Sequence, residues 1–257
     1  MIDEQTIPMN LPQVSEQAIF EVSELCYAYN GQIPALDHVS MRVNPGEKLA
    51  ILGSNGSGKS TLLKVLDGLY FPAGGSVRAF SKPLSEQALR DDPFNFEFRS
   101  RVGFVFQDSD AQLFMPTVWD EVAFGPLQLG IDQDEVARRV EAALLALHID
   151  RLRDRAPYQL SGGEKKRVAL ASVLSLAPEV WLLDEPSAGL DPRSAAWLMD
   201  FIRTQKTVVL ATHDLGLVEA VADRIYVIDE SHRMIAEGTC REVLGNHDLL
   251  VQANLTV

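Results

Sequence analysis

Cysteine, basic blocks and long apolar runs are all scarce in this sequence. Cys26 and Cys240 are the only cysteines, and neither stands in a C-x-x-C pair, so the pattern disfavours both a disulfide framework and a thiolate zinc site. We expect two thiols that are buried or idle. The longest stretch without a charged side chain, Leu25–Leu36, contains glycine and proline and is well short of the ~18 apolar residues that span a bilayer. We therefore expect no transmembrane helix.

Positive charge is also in short supply. The chain has 23 Lys and Arg against 36 Asp and Glu, a formal net charge of −13, and this field repels nucleic-acid phosphates unless basic residues are strongly segregated. Because no basic block is present, we expect no nucleic-acid partner. The first ten residues carry Asp3 and Glu4 and no Lys or Arg, so they lack the basic start of a secretory signal. The expected location is the cytosol.

The sequence does contain short apolar runs, rich in β-branched residues, between longer helix-like segments. The runs are Ile19–Val22, Leu49–Leu52, Val102–Phe106, Val180–Leu183, Val208–Ala211 and Ile225–Ile228. Alternation of strands and helices predicts an α/β domain. Several runs are apolar at successive positions, which is typical of strands covered on both faces in a mainly parallel sheet.

The N-terminal and middle segments depart from this alternation. Residues 1–17 are polar and offer no apolar period, so we expect a flexible N-terminal arm before one domain over residues 18–257. Between Leu113 and Tyr158 there is no strand run, and Asp134–Leu147 has the apolar spacing of an amphipathic helix. These features predict an inserted α-helical subdomain at about residues 113–177.

Residues 91–98 carry three phenylalanines that alternate with polar residues. Phe94, Phe96 and Phe98 have the spacing of one face of a strand. Two interpretations stay open, an exposed contact for a partner and one face of a packed strand. The alternation favours the packed strand.

A glycine-rich loop follows the predicted strand Leu49–Leu52 and precedes an apolar helix-like segment. Its residues are Gly53, Ser54, Asn55, Gly56, Ser57, Gly58, Lys59, Ser60 and Thr61. Glycines allow consecutive N–H groups to point at one anion, and the helix that follows presents its partly positive N-terminus there. Lys59 adds a full positive charge for terminal phosphates, and the Ser60 hydroxyl can ligate the Mg²⁺ that bridges them. The loop therefore predicts nucleotide binding.

Two adjacent carboxylates, Asp184 and Glu185, end the apolar strand Val180–Leu183. The carboxyl ends of parallel strands lie at the edge where the phosphate loop lies. Successive side chains of a strand point apart, so Asp184 can face a metal ion while Glu185 points to the attacking water. Glu185 is the candidate general base.

The pentapeptide Leu-Ser-Gly-Gly-Glu at residues 160–164 separates the possible families. Kinases and small GTPases carry the phosphate loop without it. Phosphate loop, pentapeptide and paired carboxylates together resemble the ATP-binding cassette (ABC) ATPases, from about residue 18 to 244. The resemblance implies ATP hydrolysis and a P-loop NTPase fold with a mixed, mainly parallel sheet, an antiparallel β region near the N-terminus and an inserted helical subdomain.

The same resemblance implies roles for further residues. Ser161, Gly162, Gly163 and Glu164 would contact ATP bound to the opposite subunit, and Ser161 can also cap the helix that follows. Asp191, in Gly-Leu-Asp at 189–191, would lie in the loop that crosses the dimer interface. Lys165, Lys166 and Arg167 are expected to form a solvated helix face.

Three more positions match the family one by one. Gln107 resembles the glutamine that touches metal and attacking water while its loop contacts the membrane partner, so Ser60, Gln107 and Asp184 are the expected Mg²⁺ ligands. His213, after the strand Val208–Thr212, resembles the histidine that holds the γ-phosphate. Tyr29 resembles the aromatic residue that stacks on adenine, and Tyr27 is the competing choice.

Finer similarity points to one branch of the family. The segments at residues 105–114 and 122–127 resemble the energy-coupling-factor ATPases, particularly those of cobalt and nickel uptake. Ser187 and Glu164 depart from the commoner Thr and Gln. Expected partners are a second ATPase subunit, identical or paralogous, and integral membrane subunits, with the chain peripheral at the cytoplasmic face of the membrane. No regulatory module is expected after Leu244.

Other functions remain open from the residues. A cassette ATPase not coupled to transport, as in iron–sulfur assembly, is one alternative, and import of another micronutrient such as a vitamin is a second. A phosphotransferase that uses the same loop is disfavoured by the pentapeptide.

Overall fold

The structure, a computed structural model, describes residues 17–256. The flexible arm expected at residues 1–17 lies outside the described residues, except for Gln17. The strands are β1 (Phe20–Tyr29), β2 (Ile33–Val43), β3 (Lys48–Leu52), β4 (Gly74–Ala79), β5 (Lys82–Pro83), β6 (Val102–Val105), β7 (Val180–Asp184), β8 (Val208–Thr212), β9 (Arg224–Ile228) and β10 (Met234–Thr239). The α-helices are α1 (Lys59–Leu66), α2 (Glu86–Leu89), α3 (Asp92–Arg101), α4 (Val118–Gln128), α5 (Gln133–Ala146), α6 (Gly162–Leu174), α7 (Pro192–Thr204), α8 (Leu215–Val221), α9 (Cys240–Leu244) and α10 (His247–Gln252).

The strands form two sheets. A six-stranded sheet has the order β10-β9-β3-β8-β7-β6, in which only the edge strand β10 is antiparallel to its neighbour. A four-stranded antiparallel sheet has the order β2-β1-β4-β5. The predicted fold class, an α/β P-loop domain with a mainly parallel sheet and an antiparallel region near the N-terminus, is confirmed.

The central strands are buried on both faces, as their continuous apolar runs predict. Every residue of β7 and β8 is buried. Because side chains alternate along a strand, Leu49 and Ile51 of β3 join a core with α1 and the antiparallel sheet, whereas Ala50 and Leu52 join a second core on the opposite face. The sheet therefore separates two hydrophobic cores.

Helices fill the chain between β6 and β7. The amphipathic helix predicted at Asp134–Leu147 is α5, which is capped by the Asp132 carboxylate on the Asp134 N–H and buries Val136, Val140 and Leu144. Helix α4 packs on both α5 and α6. In residues 17–256, no helix is long and apolar enough to cross a membrane.

The strand expected at residues 91–98 is wrong, because these residues belong to α3. Phe94 and Phe98 are four residues apart and therefore share one helix face, which is buried, while Phe96 is 51% exposed. Pro93 in the first turn and Arg99 and Arg101 in the last turn are typical of helix ends. All three phenylalanines fit the strand period, whereas only Phe94 and Phe98 fit the helical period. The residues at the ends of the segment carry the information that distinguishes the two.

Parallel pairing places the candidate site residues at one edge of the six-stranded sheet. The phosphate loop follows β3, Gln107 follows β6, Asp184 ends β7 and His213 follows β8. Since these four strands run in the same direction, their carboxyl ends meet there, as expected for an open α/β sheet.

Candidate active site

The phosphate loop has a backbone that only glycine permits at two positions. Gly56 has φ +86° and Gly58, immediately before α1, has φ +112°. A Cβ atom on Gly58 would lie 2.2 Å from the Ala35 carbonyl oxygen, so any other residue would force β2 away. Within the described residues, the hydroxyls of Ser54 and Ser57 are buried without a hydrogen-bond partner. A cradle with unsatisfied donors suits a phosphate group.

Lys59 lies inside this cradle. Its Nζ donates hydrogen bonds to the carbonyl oxygens of Gly53 at 2.8 Å and Ser54 at 3.0 Å and lies 3.4 Å from Glu185 Oε1. Burial lowers the pKa of the Lys59 ammonium, and the Glu185 carboxylate opposes this effect. This buried cation is thus held between the loop and the carboxylate.

Ser60 and Asp184 present a pair of oxygen ligands beside the loop. Ser60 Oγ donates to Asp184 Oδ1 at 2.7 Å, and Asp184 is 3% exposed. Burial raises the pKa of the Asp184 carboxyl, which the Ser60 hydrogen bond opposes. Hydroxyl and carboxylate oxygens are the ligands that Mg²⁺ prefers in nucleotide sites, so this donor set fits the ion.

Glu185 stands first after β7 in a left-handed conformation, with φ +41°. Its N–H donates to the Ala211 carbonyl oxygen of β8 at 2.8 Å. Thr212 Oγ1 donates to its Oε2 at 2.9 Å, and His213 Nδ1 lies 3.0 Å from its Oε1. A carboxylate only 4% exposed is therefore oriented from two sides by β8.

A pocket of about 520 Å³ opens onto the loop. Of the residues predicted from sequence, it is lined by Tyr29, Asn55, Gly56, Gly58, Lys59, Ser60, Thr61, Gln107 and Glu185. The Tyr29 hydroxyl shares a 2.7 Å hydrogen bond with Thr61 Oγ1. Tyr27 lines a neighbouring pocket instead and stacks on Tyr70 at 5.2 Å between ring centroids. This geometry favours Tyr29 over Tyr27 as the residue beside a bound base.

The pentapeptide and the Asp191 loop do not line that pocket in the part of the chain that the structure describes. Ser161 caps α6 in a capping box with Glu164, as the sequence predicts, and Gly162 has open space where a Cβ would be. Asp191 caps α7 through the N–H groups of Arg193 and Ser194 and is exposed. Both motifs are held by capping and face solvent.

Comparison with known proteins identifies the family. A family model described as ABC transporter matches residues 36–188. The chain belongs to the ABC transporter family. It is 46% identical over 243 residues to the nickel import ATP-binding protein NikO of Rhodobacter capsulatus, covering 92% of this chain and 95% of that protein. It is 43% identical over 244 residues to the energy-coupling factor transporter ATP-binding protein EcfA of Methanoculleus marisnigri, with 93% and 86% covered.

A solved structure gives the same result. The chain matches cbiO1 from Clostridium perfringens, described as part of the ABC transporter complex cbiONQ, with a TM-score of 0.78 and 36% identity over 94% of this chain and 96% of that one. The protein is therefore an ABC ATPase, an ATP-binding and ATP-hydrolysing subunit that energises transport. ATPases of this family act as dimers together with membrane subunits.

The solvated face expected at residues 165–167 of this ABC ATPase is wrong. Lys166 is 3% exposed, because its Nζ turns inward and donates to the carbonyl oxygens of Phe106 at 3.2 Å and Gln107 at 2.9 Å. Lys165 Nζ lies 2.5 Å from Asp110. The Arg167 guanidinium covers the ring of Trp197 at 3.8 Å. Basic residues in succession on a helix occupy different faces, and here two of those faces pack on neighbouring segments.

Sequence reasoning missed two residues of the ABC ATPase site besides Lys166, and a buried carboxylate outside it. Thr212 orients Glu185, and a hydroxyl at the end of a buried strand was a signal for it. Glu121 of α4, 3% exposed, accepts the N–H groups of Phe114 and Met115 at 2.8 Å each. His232 lines the pocket and its Nδ1 lies 3.1 Å from the Ser57 carbonyl oxygen. The contact between His232 and Ser57 joins residues 175 positions apart, and no local pattern predicts it.

Proposed function

We propose that this chain is the ATPase subunit of an importer of the energy-coupling-factor type that takes up nickel or cobalt ions. Similarity to NikO, EcfA and cbiO1 over more than nine-tenths of the chain supports this proposal. The observation that carries it is the position of two motifs in one chain. The phosphate loop lines a pocket, whereas the pentapeptide lies outside that pocket and faces solvent. Each chain thus supplies the phosphate loop of one composite ATP site and the pentapeptide of a second one.

Two chains complete both sites in a head-to-tail dimer. Ser161, Gly162, Gly163 and Glu164 contact the terminal phosphate of the ATP held by the opposite subunit, and Asp191 lies in the interface loop. The second subunit is an identical copy or a paralogue. ATP closes the dimer because it gains contacts from both chains only in the closed state, and this differential affinity is what drives a conformational change.

Catalytic roles follow from the geometry around Glu185. Its carboxylate is the general base toward the attacking water, and Thr212 keeps the carboxylate oriented. His213 donates to the γ-phosphate, where an N–H stabilises developing negative charge. Gln107 orients the same water from the end of β6. Tyr29 stacks on adenine, and the loop from Gly53 to Thr61 holds the phosphates.

Ser60, Asp184 and Gln107 would hold Mg²⁺. The adjacent hydroxyl and carboxylate oxygens at 2.7 Å fit this ion. When bound, Mg²⁺ neutralises charge on the phosphate oxygens. Lys59 supplies the other positive charge from the chain itself.

Contact with the membrane partners lies near the segment that follows Gln107. Phe114 is 66% exposed and contacts Phe124 of α4 edge to face, and Leu127, on the same helix, is 47% exposed. Exposed large apolar side chains next to a site mark surfaces for protein partners. The chain is accordingly peripheral at the cytoplasmic face of the membrane.

Reconstitution tests the proposed function. The chain is isolated from native membranes with its hydrophobic partners, the complex is placed in proteoliposomes, and ATP-driven uptake of radioactive nickel and cobalt is measured. We expect uptake that a complex with Glu185→Gln does not support. Hydrolysis without movement of either ion, or isolation without any membrane partner, would contradict the proposal, and uptake of a vitamin instead would correct the solute.

A further inference from the structure

A β-bulge between β1 and β2 brings together three side chains that the activity does not use. The strands pair at Leu25 with Val39 and at Tyr27 with Leu36, so that Cys26 alone faces both Asp37 and His38. Consecutive side chains of a regular strand point to opposite faces, whereas a bulge redirects one of them. His38 has the left-handed conformation that this requires, with φ +52°.

The redirected side chains converge. The Cys26 thiol, the Asp37 carboxylate and the His38 imidazole each have a potential ligand atom within 4.8 Å of the other two. His38 Nδ1 lies 2.6 Å from Asp37 Oδ1, and the His38 N–H donates to Cys26 Sγ at 3.4 Å. Donor atoms of a tetrahedral zinc site lie about 3.3–3.8 Å apart, so small side-chain rotations suffice to make these three atoms ligands of one ion.

We propose that Cys26, Asp37 and His38 form a binding site for a borderline divalent transition-metal ion of the Zn²⁺, Co²⁺ and Ni²⁺ group. One sulfur, one nitrogen and one oxygen ligand select this group over Mg²⁺ and Ca²⁺, which require oxygen. Binding replaces the Cys26 thiol proton, which leaves to solvent, and forms bonds to Sγ, a ring nitrogen of His38 and Oδ1 of Asp37. No oxidation or reduction takes place.

The surroundings of the site suit this chemistry. The Arg233 guanidinium occupies Asp37 Oδ2 and leaves Oδ1 facing His38. His38 is 63% exposed at its side chain, and a pocket of about 530 Å³ lined by Cys26 and Asp37 gives an ion access from solvent.

The proposed metal site also lies close to the phosphate loop. The Asp37 N–H donates to the His232 carbonyl oxygen at 3.0 Å, and His232 Nδ1 lies 3.1 Å from the Ser57 carbonyl oxygen of the phosphate loop. Two contacts through His232 thus connect a metal ion at Cys26, Asp37 and His38 with the phosphate loop. The proposal does not rest on the solute that the importer carries.

Titration with Co²⁺ tests the site. The full chain, free of metal, nucleotide and any polyhistidine tag, is titrated under reducing conditions and followed by absorption. We expect one equivalent of Co²⁺ to produce a thiolate-to-metal charge-transfer band, which Zn²⁺ then displaces. Cys26→Ser abolishes the band, and Asp37→Asn raises the dissociation constant by at least about 10-fold, since loss of even an outer-shell partner of a metal ligand costs about 10- to 100-fold.

Matched variants keep the result interpretable. His38→Asn removes the imidazole with a residue that tolerates the left-handed conformation, and it should weaken binding as Asp37→Asn does. Cys240→Ser changes the other half-buried thiol and should leave the band unchanged. ATP affinity measured for each variant reports an intact fold. A wild-type chain without the band, a band that survives Cys26→Ser, or a band lost in Cys240→Ser would overturn the assignment.

Discussion

Lys166 donates a hydrogen bond from its buried ammonium to the main-chain oxygen of Gln107 at 2.9 Å. The helix that begins at the pentapeptide therefore holds the loop that carries Gln107, the proposed metal ligand. Gln112 adds a second tie, since its side chain donates to the Ala169 carbonyl oxygen of α6 and accepts the Phe106 N–H. Helix α6 and the Gln107 loop are thus bound together inside one chain.

Lys166→Met should separate these two elements. Methionine fills the space but donates nothing, and loss of a hydrogen bond from a charged group costs about 1.5–3 kcal/mol. We expect the free energy of unfolding to fall by that amount and kcat to fall about tenfold, the rate equivalent of about 1.4 kcal/mol, with ATP affinity unchanged. Lys165→Met is the control, because exposed ion pairs such as Lys165–Asp110 contribute about 0–1 kcal/mol. Equal effects of both variants would contradict the role of Lys166.

Glu185→Gln should slow turnover without preventing ATP binding. Loss of a general base costs about 10²- to 10⁴-fold in rate, while the phosphate loop keeps its own hydrogen bonds from Lys59 to the Gly53 and Ser54 carbonyl oxygens. Single-turnover hydrolysis and the lifetime of the ATP-bound dimer are the measurements, and we expect that dimer to persist longer. Glu219→Gln on the exposed face of α8 serves as control. Turnover at the wild-type rate in Glu185→Gln would refute the assignment of the base.

Thr212→Val should reduce kcat through Glu185. Valine has nearly the shape of threonine but cannot donate to Glu185 Oε2 or accept the Asp214 N–H, which are the two hydrogen bonds of the Thr212 hydroxyl. We expect about a tenfold lower kcat, equivalent to about 1.4 kcal/mol, an unchanged dissociation constant for ATP, and recovery in Thr212→Ser. Thr207→Val is the matched control immediately before β8, where the hydroxyl accepts the Gly46 N–H. A stability loss in both variants with no difference in kcat would show that Thr212 is merely structural.

Asp67 at the end of α1 should make stability depend on pH. Burial raises the pKa of its carboxyl to about 7, opposed by Arg99. Between pH 4 and 7 the folded chain then keeps a proton that the unfolded chain has lost, so the contribution of Asp67 to stability falls as pH rises. Since each pKa unit corresponds to about 1.4 kcal/mol, the wild-type chain should lose about 4 kcal/mol relative to Asp67→Asn across this range.

Chemical denaturation of both chains at several pH values measures this difference. Other carboxylates titrate in the same range, but they are common to both chains and cancel. The opposite result would be a free energy of unfolding that rises with pH in the wild-type chain relative to Asp67→Asn. It would mean that the ion pair with Arg99, whose Nη1 lies 3.1 Å from Asp67 Oδ2, outweighs burial.

Much of the site could be predicted because its motifs are continuous in sequence. The loop around Lys59 and the cap at Ser161 are set by residues within a few positions of one another, and their conformations are local. The strands that carry them were recognisable because burial on both faces leaves apolar residues at every position. The ends of the strands were predicted less accurately. Strand β1 extends to Tyr29 rather than ending near Val22. The apolar pattern stops near Val22 because most of the side chains that follow are only half-buried.

Tertiary pairing decided the rest. The burial of Lys166 depends on where the loop after β6 lies beside α6, a separation of about sixty residues. The phenylalanines of α3 have a spacing that both a strand and a helix allow. Whether Tyr27 or Tyr29 faces the phosphate loop depends on how the antiparallel sheet packs against it.

Local chemistry in the sequence by itself determined that this chain binds a phosphorylated ligand at a strand–loop–helix junction, because glycine freedom, capping and strand burial act between near neighbours. Only the tertiary structure decided which side chains hold Glu185, which lysine is buried, and that Cys26, Asp37 and His38 meet. Those contacts join distant segments, and strand order and register, which depend on the whole core, bring such segments together.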